Sequence, residues 1–236
     1  MFISVEPNVV GMTETDHRIA NNLSSLSGLI GLERKAISKI NKPFTTKQVC
    51  MLLDGINARI QIAAKLHKSL LTRGPRTGVN LGTFLRQIAE MMSALNPEGM
   101  LVVTFDSACH VYIDPGHALQ TGLIAAELLT NAQKYAHPCG SPVKVHIWCE
   151  TKDDGSFVVE VTDDGVGFPD DFDTNKDGGV GFQVMRALAA GLNATLEFEH
   201  HDLGVRARLA RPSCLASLRP GSRGASRHQR SPYSPA

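Results

Sequence analysis

Apolar residues recur every three or four positions along the N-terminal third of the chain. A first run lies within residues 13–41, at Ile19, Leu23, Leu26, Ile30, Ile37 and Ile40. After a break at "NKPFTTKQ", where Thr45 or Thr46 can cap a new helix, a second run follows at Val49, Leu52, Ile56, Ile60, Ala63, Leu66 and Leu70. These steps of three and four predict two helices with apolar seams. Because two helices cannot bury both seams, we expect an antiparallel hairpin that joins a second hairpin in a four-helix bundle, most simply a homodimer.

Beyond Gly78 the pattern changes to strands mixed with helices. Asn80 can cap the helix "LGTFLRQIAEMMSAL", and another long helix is predicted from about Gly116 to Tyr135. Strict alternation in "VKVHIWCE" predicts a half-buried strand, and "LVVTF", "VYID", "FVVEVTDDG", "ATLEFEH" and "VRARLAR" predict further strands. A last helix should fill roughly 180–190, with Gly191 as its C-cap. Without regular strand and helix alternation, the pattern predicts an α+β domain whose mixed sheet is covered by helices on one face.

These patterns divide the 236 residues into four parts. Residues 1–12 are an N-terminal extension, 13–74 the helical hairpin and 75–212 the mixed domain. Residues 213–236 are mainly Ser, Pro, Gly and Arg, a composition that predicts a disordered tail.

Charge and hydropathy exclude several classes of protein. The formal net charge is +1, so no overall field favours nucleic acid. No apolar run approaches the roughly 18 residues that span a bilayer, and the N-terminus lacks a signal-peptide pattern, so we expect a cytoplasmic protein without membrane insertion. The five cysteines are scattered without a CxxC pair, which favours reduced thiols over disulfides or zinc.

One helix carries three polar side chains that could bind a metal and phosphate. Glu127, Asn131 and Lys134 are four and three residues apart in "GLIAAELLTNAQKYA" and so project from one face. A carboxylate, an amide oxygen and an ammonium in line can bind hydrated magnesium and the phosphates that it bridges. Taken alone, the triplet is equally well explained as a solvated helix face.

Two glycine pairs follow in the chain. In "DDGVGFP" at a strand end, Gly165 and Gly167 allow positive φ, and Asp163 would point an acceptor outward, suited to an exocyclic amine. A plain turn explains this motif as well. Gly179 and Gly181 in "DGGVGFQVM" lie immediately before a helix, where N–H groups and the helix dipole attract phosphate, although an ordinary helix-start loop would look the same.

The order of these motifs resembles a known family. "ELLTNAQKYA", "DDGVGFP" and "GGVGF" are similar to the N-box and the two glycine boxes of the Bergerat-type α/β sandwich shared by histidine kinases, type II topoisomerases, Hsp90 chaperones and MutL. "ETDHRIANNL" and "RIQIAAKLHKSLL" resemble the H-box hairpin of the HRxxNN subgroup of sensor histidine kinases, related to the HWE kinases. The resemblance covers roughly residues 13–212.

The resemblance implies roles for the candidate residues. Asn131 would coordinate Mg²⁺, Glu127 would help to position the metal and the attacking group, and Lys134 would contact phosphate. Asp163 would bind the adenine amine of ATP, in a pocket shaped by Gly165, Gly167, Gly179 and Gly181.

His17 is the phosphoacceptor that the resemblance implies. On a 3.6-residue helix it lies about 200° from the seam that contains Ile19, and therefore faces water. An exposed imidazole near neutral pH has a free ring nitrogen that can attack phosphorus. Glu14 and Asn21 share its face and could orient the ring or accept its proton, but Arg18 follows and Asp16 precedes His17, so the proton acceptor stays open.

By this resemblance the chain is a cytoplasmic histidine kinase that phosphorylates His17 from Mg-ATP and relays the phosphoryl group to a response-regulator aspartate. Few residues precede the H-box, so we expect the signal to come from a separate sensor protein or from a segment lost by truncation. A histidine phosphotransfer protein with a non-catalytic ATPase-like domain is the first alternative. An anti-sigma-type serine kinase, or another ATPase of the same fold, is the second.

Overall fold

The computed structural model describes a defined set of residues. These are 43–73, 78–95, 99–109, 112–174, 176, 178–201 and 204–213, with 20, 23, 24, 26–28, 30, 31, 34, 35, 37 and 38. His17, Glu14, Asp16 and Asn21 lie outside this set, as do residues 1–12 and 214–236. The predictions for them are therefore not tested by the fold.

The second hairpin helix, α1, spans Thr46–Arg73. Its start is a capping box, in which the Gln48 N–H donates to Thr45 Oγ1 (3.3 Å) and the Thr45 N–H donates to Gln48 Oε1 (2.9 Å). Of the two predicted caps, Thr45 is the one that the structure uses.

From residue 78 to residue 213, the described residues form a mixed sheet and three further helices. The elements are β1 (Val79–Asn80), α2 (Leu81–Ala94), β2 (Leu101–Ala108), β3 (Tyr112–Ile113), α3 (Pro115–Tyr135), β4 (Val143–Thr151), β5 (Phe157–Asp163), α4 (Val180–Gly191), β6 (Thr195–His201) and β7 (Gly204–Arg211). The main sheet has the order β2-β4-β5-β7-β6, and β1 pairs with β3. Only the β2–β4 pair is parallel within this main sheet. The predicted α+β class and mixed sheet are confirmed.

Local sequence signals set most of the helix ends. Asn80 Oδ1 accepts from the Thr83 N–H (2.8 Å) and caps α2, as predicted. Asp114 caps α3 by accepting from the Gly116 N–H (2.7 Å). The predicted C-cap of α4 is wrong by one residue, because Leu192 is the cap and the left-handed residue is Asn193, with φ 52°.

The hydrophobic core lies between the sheet and the helices. The alternating residues Val143, Val145 and Ile147 of β4 are buried on the inner face, as predicted. The same core continues into α1, where Ile62 and Leu66 are completely buried. The hairpin helix and the mixed domain therefore share one core.

Helix α1 has a second apolar face that is exposed in the single chain. Val49, Leu53 and Ile60 are 41, 58 and 50% exposed, whereas Ile62 is buried. At 100° per residue, the exposed stripe lies nearly opposite Ile62. Of the predicted seam, Leu66 is buried in the core shared with the mixed domain, whereas Val49 and Ile60 are exposed in the single chain, so their burial against a second hairpin stays a prediction.

The cysteine prediction is wrong for one pair. Cys109 and Cys149 form a disulfide with a Cα–Cα distance of 6.4 Å. The register explains their meeting, because parallel β2 and β4 pair Ser107 with Cys149 and place Cys109 just beyond the end of β2. Among the described cysteines, Cys50 and Cys139 are free and exposed.

Within the described ranges, no helix combines the length and the apolar character that crossing a bilayer requires.

Candidate functional site

Glu127 and Asn131 lie one turn apart on α3 and meet the start of α4. A Cβ added to Gly181 would lie 3.2 Å from Glu127 Oε2 and 3.8 Å from Asn131 Oδ1. Residue 181 must therefore be small for the two helices to approach at this point. The predicted N-box residues and a residue of the second glycine pair are thus brought together.

The N-terminus of α4 is suited to an anion. The helix begins at Val180 with Gly179 as its N-cap, and no side chain among the described residues caps it. The first-turn N–H groups and the helix dipole together favour a phosphate at such a position. No described atom lies within 4 Å of a Cβ added to Gly179, so the described part of the chain leaves space beside this N-terminus.

Asp163 is the last residue of β5, and backbone hydrogen bonds fix its carboxylate. Its Oδ1 accepts from the Gly165 N–H (2.9 Å) and the Val205 N–H (3.3 Å). Burial raises the pKa of Asp163, and these two backbone donors offset that only in part. The hydrogen bonds fix the carboxylate, which can then present its second oxygen to a donor.

The two glycines after Asp163 have different reasons for lacking a side chain. Gly167 has φ 78°, as predicted, and a Cβ there would lie 2.9 Å from His200 Nδ1. The prediction is wrong for Gly165, which has no positive φ but lies against the backbone of Ala136. The Val166 N–H donates to Ala136 O (2.9 Å), so the loop is joined to the end of α3.

Asp164 stabilises this loop through contacts with two neighbouring segments. Its Oδ1 accepts from the Lys144 N–H (2.8 Å) and lies 3.0 Å from His137 Nε2. Burial alone would raise the pKa of Asp164, but the hydrogen bonds from Lys144 and His137 outweigh it and lower the pKa below the ordinary value. The carboxylate thus ties β5 to β4 and to the end of α3.

Aromatic rings anchor the loop between the glycine pairs. Phe168 stacks on Phe172 with centroids 4.9 Å apart, and Phe182 of α4 packs 5.9 Å from Phe172. Arg186 of α4 donates to the Thr174 carbonyl. These residues had no predicted role, although a phenylalanine follows each glycine pair in the sequence, at Phe168 and Phe182.

Arg59 on α1 is a further site residue, and it was not predicted from the sequence. Its Nε–H and Nη2–H both donate to Glu127 Oε1, at 3.0 and 2.5 Å. The pair is nearly enclosed, with 5 and 13% of the two side chains exposed. The only signal was the position of Arg59 in the motif "RIQIAAKLHKSLL", which predicts neither its partner nor its burial.

Lys134 is less well placed than its neighbours on α3. It is exposed in the last turn, three residues beyond Asn131. Its predicted phosphate contact therefore requires the long side chain to reach back along the helix.

The residues present fit magnesium and a nucleotide phosphate. Glu127 and Asn131 offer the carboxylate and amide oxygens that Mg²⁺ prefers. Gly181 leaves the approach to them open, beside the uncapped N-terminus of α4. Glu127, Asn131 and Gly181 form what we call the phosphate end of the site.

Two family models match the chain. Residues 14–96 match a model described as histidine kinase, and residues 116–213 match one described as histidine kinase-, DNA gyrase B-, and HSP90-like ATPase. Together these regions contain the hairpin motifs and all three boxes of the nucleotide site.

A relative with a curated description agrees with these family matches. Blue-light-activated histidine kinase 2 of Erythrobacter litoralis (strain HTCC2594) is 24% identical over 197 residues, which are 82% of this chain and 54% of that protein. The chain thus spans about half the length of this relative.

Two structures from Erythrobacter litoralis share the fold. The EL346 blue-light activated histidine kinase is 23% identical with a TM-score of 0.69, over 87% of this chain and 62% of that one. The histidine kinase domain of the same protein is 22% identical with a TM-score of 0.63, over 86 and 94%. Given the two family matches and the assembled site, this chain belongs to the histidine kinase family, in its HRxxNN/HWE-like subgroup.

Proposed function

We propose that the chain is an ATP-dependent histidine kinase that phosphorylates His17 and passes the phosphoryl group to a response-regulator aspartate. The observation that carries this proposal is the convergence of Glu127 and Asn131 with Gly181 at the N-terminus of α4. A phosphotransfer module without nucleotide chemistry has no need of this arrangement.

Each residue of the proposed site has a distinct task. Asp163, held by its two backbone hydrogen bonds, accepts from the adenine amine. Asn131 and Glu127 would hold the metal of Mg-ATP, the α4 N-terminus would receive phosphate oxygens, and Lys134 would contact a phosphate from the edge. When bound, Mg²⁺ would supply neutralisation of the phosphate charge. Phosphoryl transfer asks mainly for such positioning and charge neutralisation.

The domain limits and the acceptor remain part of the proposal. We assign 13–74 to dimerisation and phosphotransfer and 75–212 to ATP binding, with His17 as acceptor and Glu14, Asp16 or Asn21 orienting its ring. Incubation with γ-labelled Mg-ATP tests this assignment. We expect label in the wild type, while His17→Ala loses the label but retains ATP binding.

The phosphotransfer alternative predicts a different outcome of that test. A degenerate ATPase-like domain would leave the folded wild type without magnesium-dependent ATP affinity. A serine kinase of the same fold would bind ATP, but its label would persist in His17→Ala and on an added protein substrate.

We further propose that the chain is a homodimer. The exposed stripe of Val49, Leu53 and Ile60 supports this, because it offers an apolar helix face away from the shared core. A second copy would place the same face against it, as a two-fold symmetric interface requires.

The input and output partners complete the proposal. The relatives are named as light-activated proteins, and here we propose only that a sensor, as a separate protein or another segment, acts on the hairpin. The receiver domain of a cytoplasmic response regulator is the proposed acceptor from phosphorylated His17.

A further inference from the structure

The buried ion pair between α1 and α3 is asymmetric. Two of the guanidinium N–H donors of Arg59, on Nε and Nη2, go to Glu127 Oε1. The other oxygen, Oε2, is the one that lies near Gly181. A single arginine therefore fixes one oxygen of the carboxylate while the second faces the phosphate end of the site.

Packing around the pair makes its geometry rigid. Ile62, one turn beyond Arg59, lies against Gly122, and Arg59 itself meets Glu127 five residues further along α3. The helices thus run antiparallel, and two contacts fix their register. Phe84 and Ile88 of α2 also close on Gly122, so α1 cannot shift there without disturbing the core.

The energetics argue against a merely stabilising role. The free energy lost when a carboxylate and a guanidinium are desolvated is about as large as the free energy gained from their attraction. Buried ion pairs therefore contribute little net stability. A planar guanidinium is instead well suited to orient a carboxylate, since its donors are held in a fixed fork.

We propose that Arg59 is a positioning residue of the ATP site, which holds Glu127 so that its Oε2 faces the magnesium and phosphate region. The inference rests on the proposed kinase function and deepens it, because it makes the phosphotransfer hairpin a structural part of the nucleotide site. A change in the placement of α1 then alters Glu127 directly.

The test uses the full chain and compares Arg59→Gln with the wild type. ATP affinity is measured by calorimetry with saturating Mg²⁺ and with a chelator, and the rate of phosphoprotein formation is measured at saturating ATP. In Arg59→Gln, we expect the gain in ATP affinity that Mg²⁺ confers to be about 10-fold smaller than in the wild type. The maximal rate of phosphoprotein formation should fall by a similar factor, while the ATP affinity without Mg²⁺ is unchanged. Arg59→Lys should recover part of the loss, since it keeps the charge but not the fork.

A matched control is the ion pair of Arg208 with Glu160. Arg208 Nε donates to Glu160 Oε1 at 3.1 Å between β7 and β5, and this pair lies outside the phosphate end of the site. Arg208→Gln should leave both the magnesium effect and the rate unchanged. Because Arg59 acts through Glu127, the double variant Arg59→Gln/Glu127→Gln should be no worse than Glu127→Gln alone.

The outcomes separate this inference from the proposed function. A wild type that binds Mg-ATP but forms no phosphoprotein contradicts the kinase, and the binding measurements still decide the role of Arg59. The inference is overturned if a folded Arg59→Gln variant keeps the full gain in ATP affinity that Mg²⁺ confers. It is also overturned if the losses of the two single variants add in the double variant, or if Arg59→Gln forms phosphoprotein faster than the wild type. If circular dichroism shows Arg59→Gln to be unfolded, Arg59→Lys decides by the same criteria. A wild type without ATP affinity overturns both.

Discussion

Ile62 of α1 packs on Gly122 of α3, with its Cγ2 3.5 Å from where a Cβ of residue 122 would lie. This contact lies inside the core that the hairpin helix shares with the mixed domain. The stability of the two parts is therefore coupled, although the sequence divides them into separate domains.

Ile62→Ala should destabilise the mixed domain as well as the hairpin. Ile62 is completely buried, so its truncation should cost about 2–5 kcal/mol. Trp148, the single tryptophan, lies in β4 and reports unfolding of the main sheet by fluorescence in urea. Leu95→Ala is the control, since Leu95 is exposed at the end of α2. An unmoved Trp148 transition in Ile62→Ala would show that the core is not shared.

Ile60→Glu should weaken the proposed dimer. The charge would enter the exposed apolar stripe, where a second copy must desolvate it. Light scattering at micromolar concentration should show dimers for the wild type and monomers for the variant. Gln61→Glu adds the same charge 100° around the helix and should preserve the dimer. A monomeric wild type contradicts the prediction.

ATP affinity should fall in acid at a higher pH than an ordinary aspartate would give. Burial raises the pKa of Asp163, so the folded protein takes up this proton at a higher pH than the unfolded chain does. Protonation would remove the acceptor that we propose for the adenine amine, so we expect affinity to be lost as pH falls through the raised pKa. By the same linkage, the penalty that buried Asp163 imposes on folding at neutral pH is relieved in acid.

The check is the ATP dissociation constant measured from neutral to acidic pH in the wild type and in Asp163→Asn. Comparing the two proteins at each pH cancels the effect of the protonation of ATP itself. We expect Asp163→Asn to bind ATP more weakly and to lack the fall in affinity that the wild type shows at the pKa of Asp163. Identical pH profiles for the two proteins would exclude Asp163 as the adenine acceptor.

Gly165→Ala should destabilise the fold, whereas Gly55→Ala in the interior of α1 should not, since alanine is a better helix former than glycine. A Cβ at residue 165 would lie 2.5 Å from Ala136 Cα, which is backbone and cannot turn away, whereas a Cβ at 55 would meet no described atom within 4 Å. Overpacking of this kind costs roughly 1–3 kcal/mol. Urea unfolding of the two variants measures the difference, and equal stability would refute the packing role of Gly165.

The sequence predicted those features that local chemistry determines. The alternation of Val143, Val145 and Ile147 predicted the buried face of β4, and Asn80 predicted its helix cap. Glu127 and Asn131 were predicted together, because helical spacing places them on one face.

Contacts between distant segments were not predictable in this way. Arg59 and Glu127 are 68 residues apart, and no periodicity relates them. The strand register that joins Cys109 to Cys149, and the approach of Gly165 to Ala136, likewise exist only after the chain has folded. The glycine pair predicted a flexible backbone conformation at Gly165, whereas this residue must be glycine because it packs closely against Ala136.

The proposed kinase function requires His17 to receive the phosphoryl group of ATP bound at this site. The most direct test is to label the full chain with γ-labelled Mg-ATP, beside His17→Ala, and to treat the labelled protein with acid and with alkali. We expect label that survives alkali, is lost in acid and is absent from a His17→Ala variant that still binds ATP. Label that persists in this variant, or a folded ATP-bound wild type that forms none, would exclude His17 phosphorylation by this site.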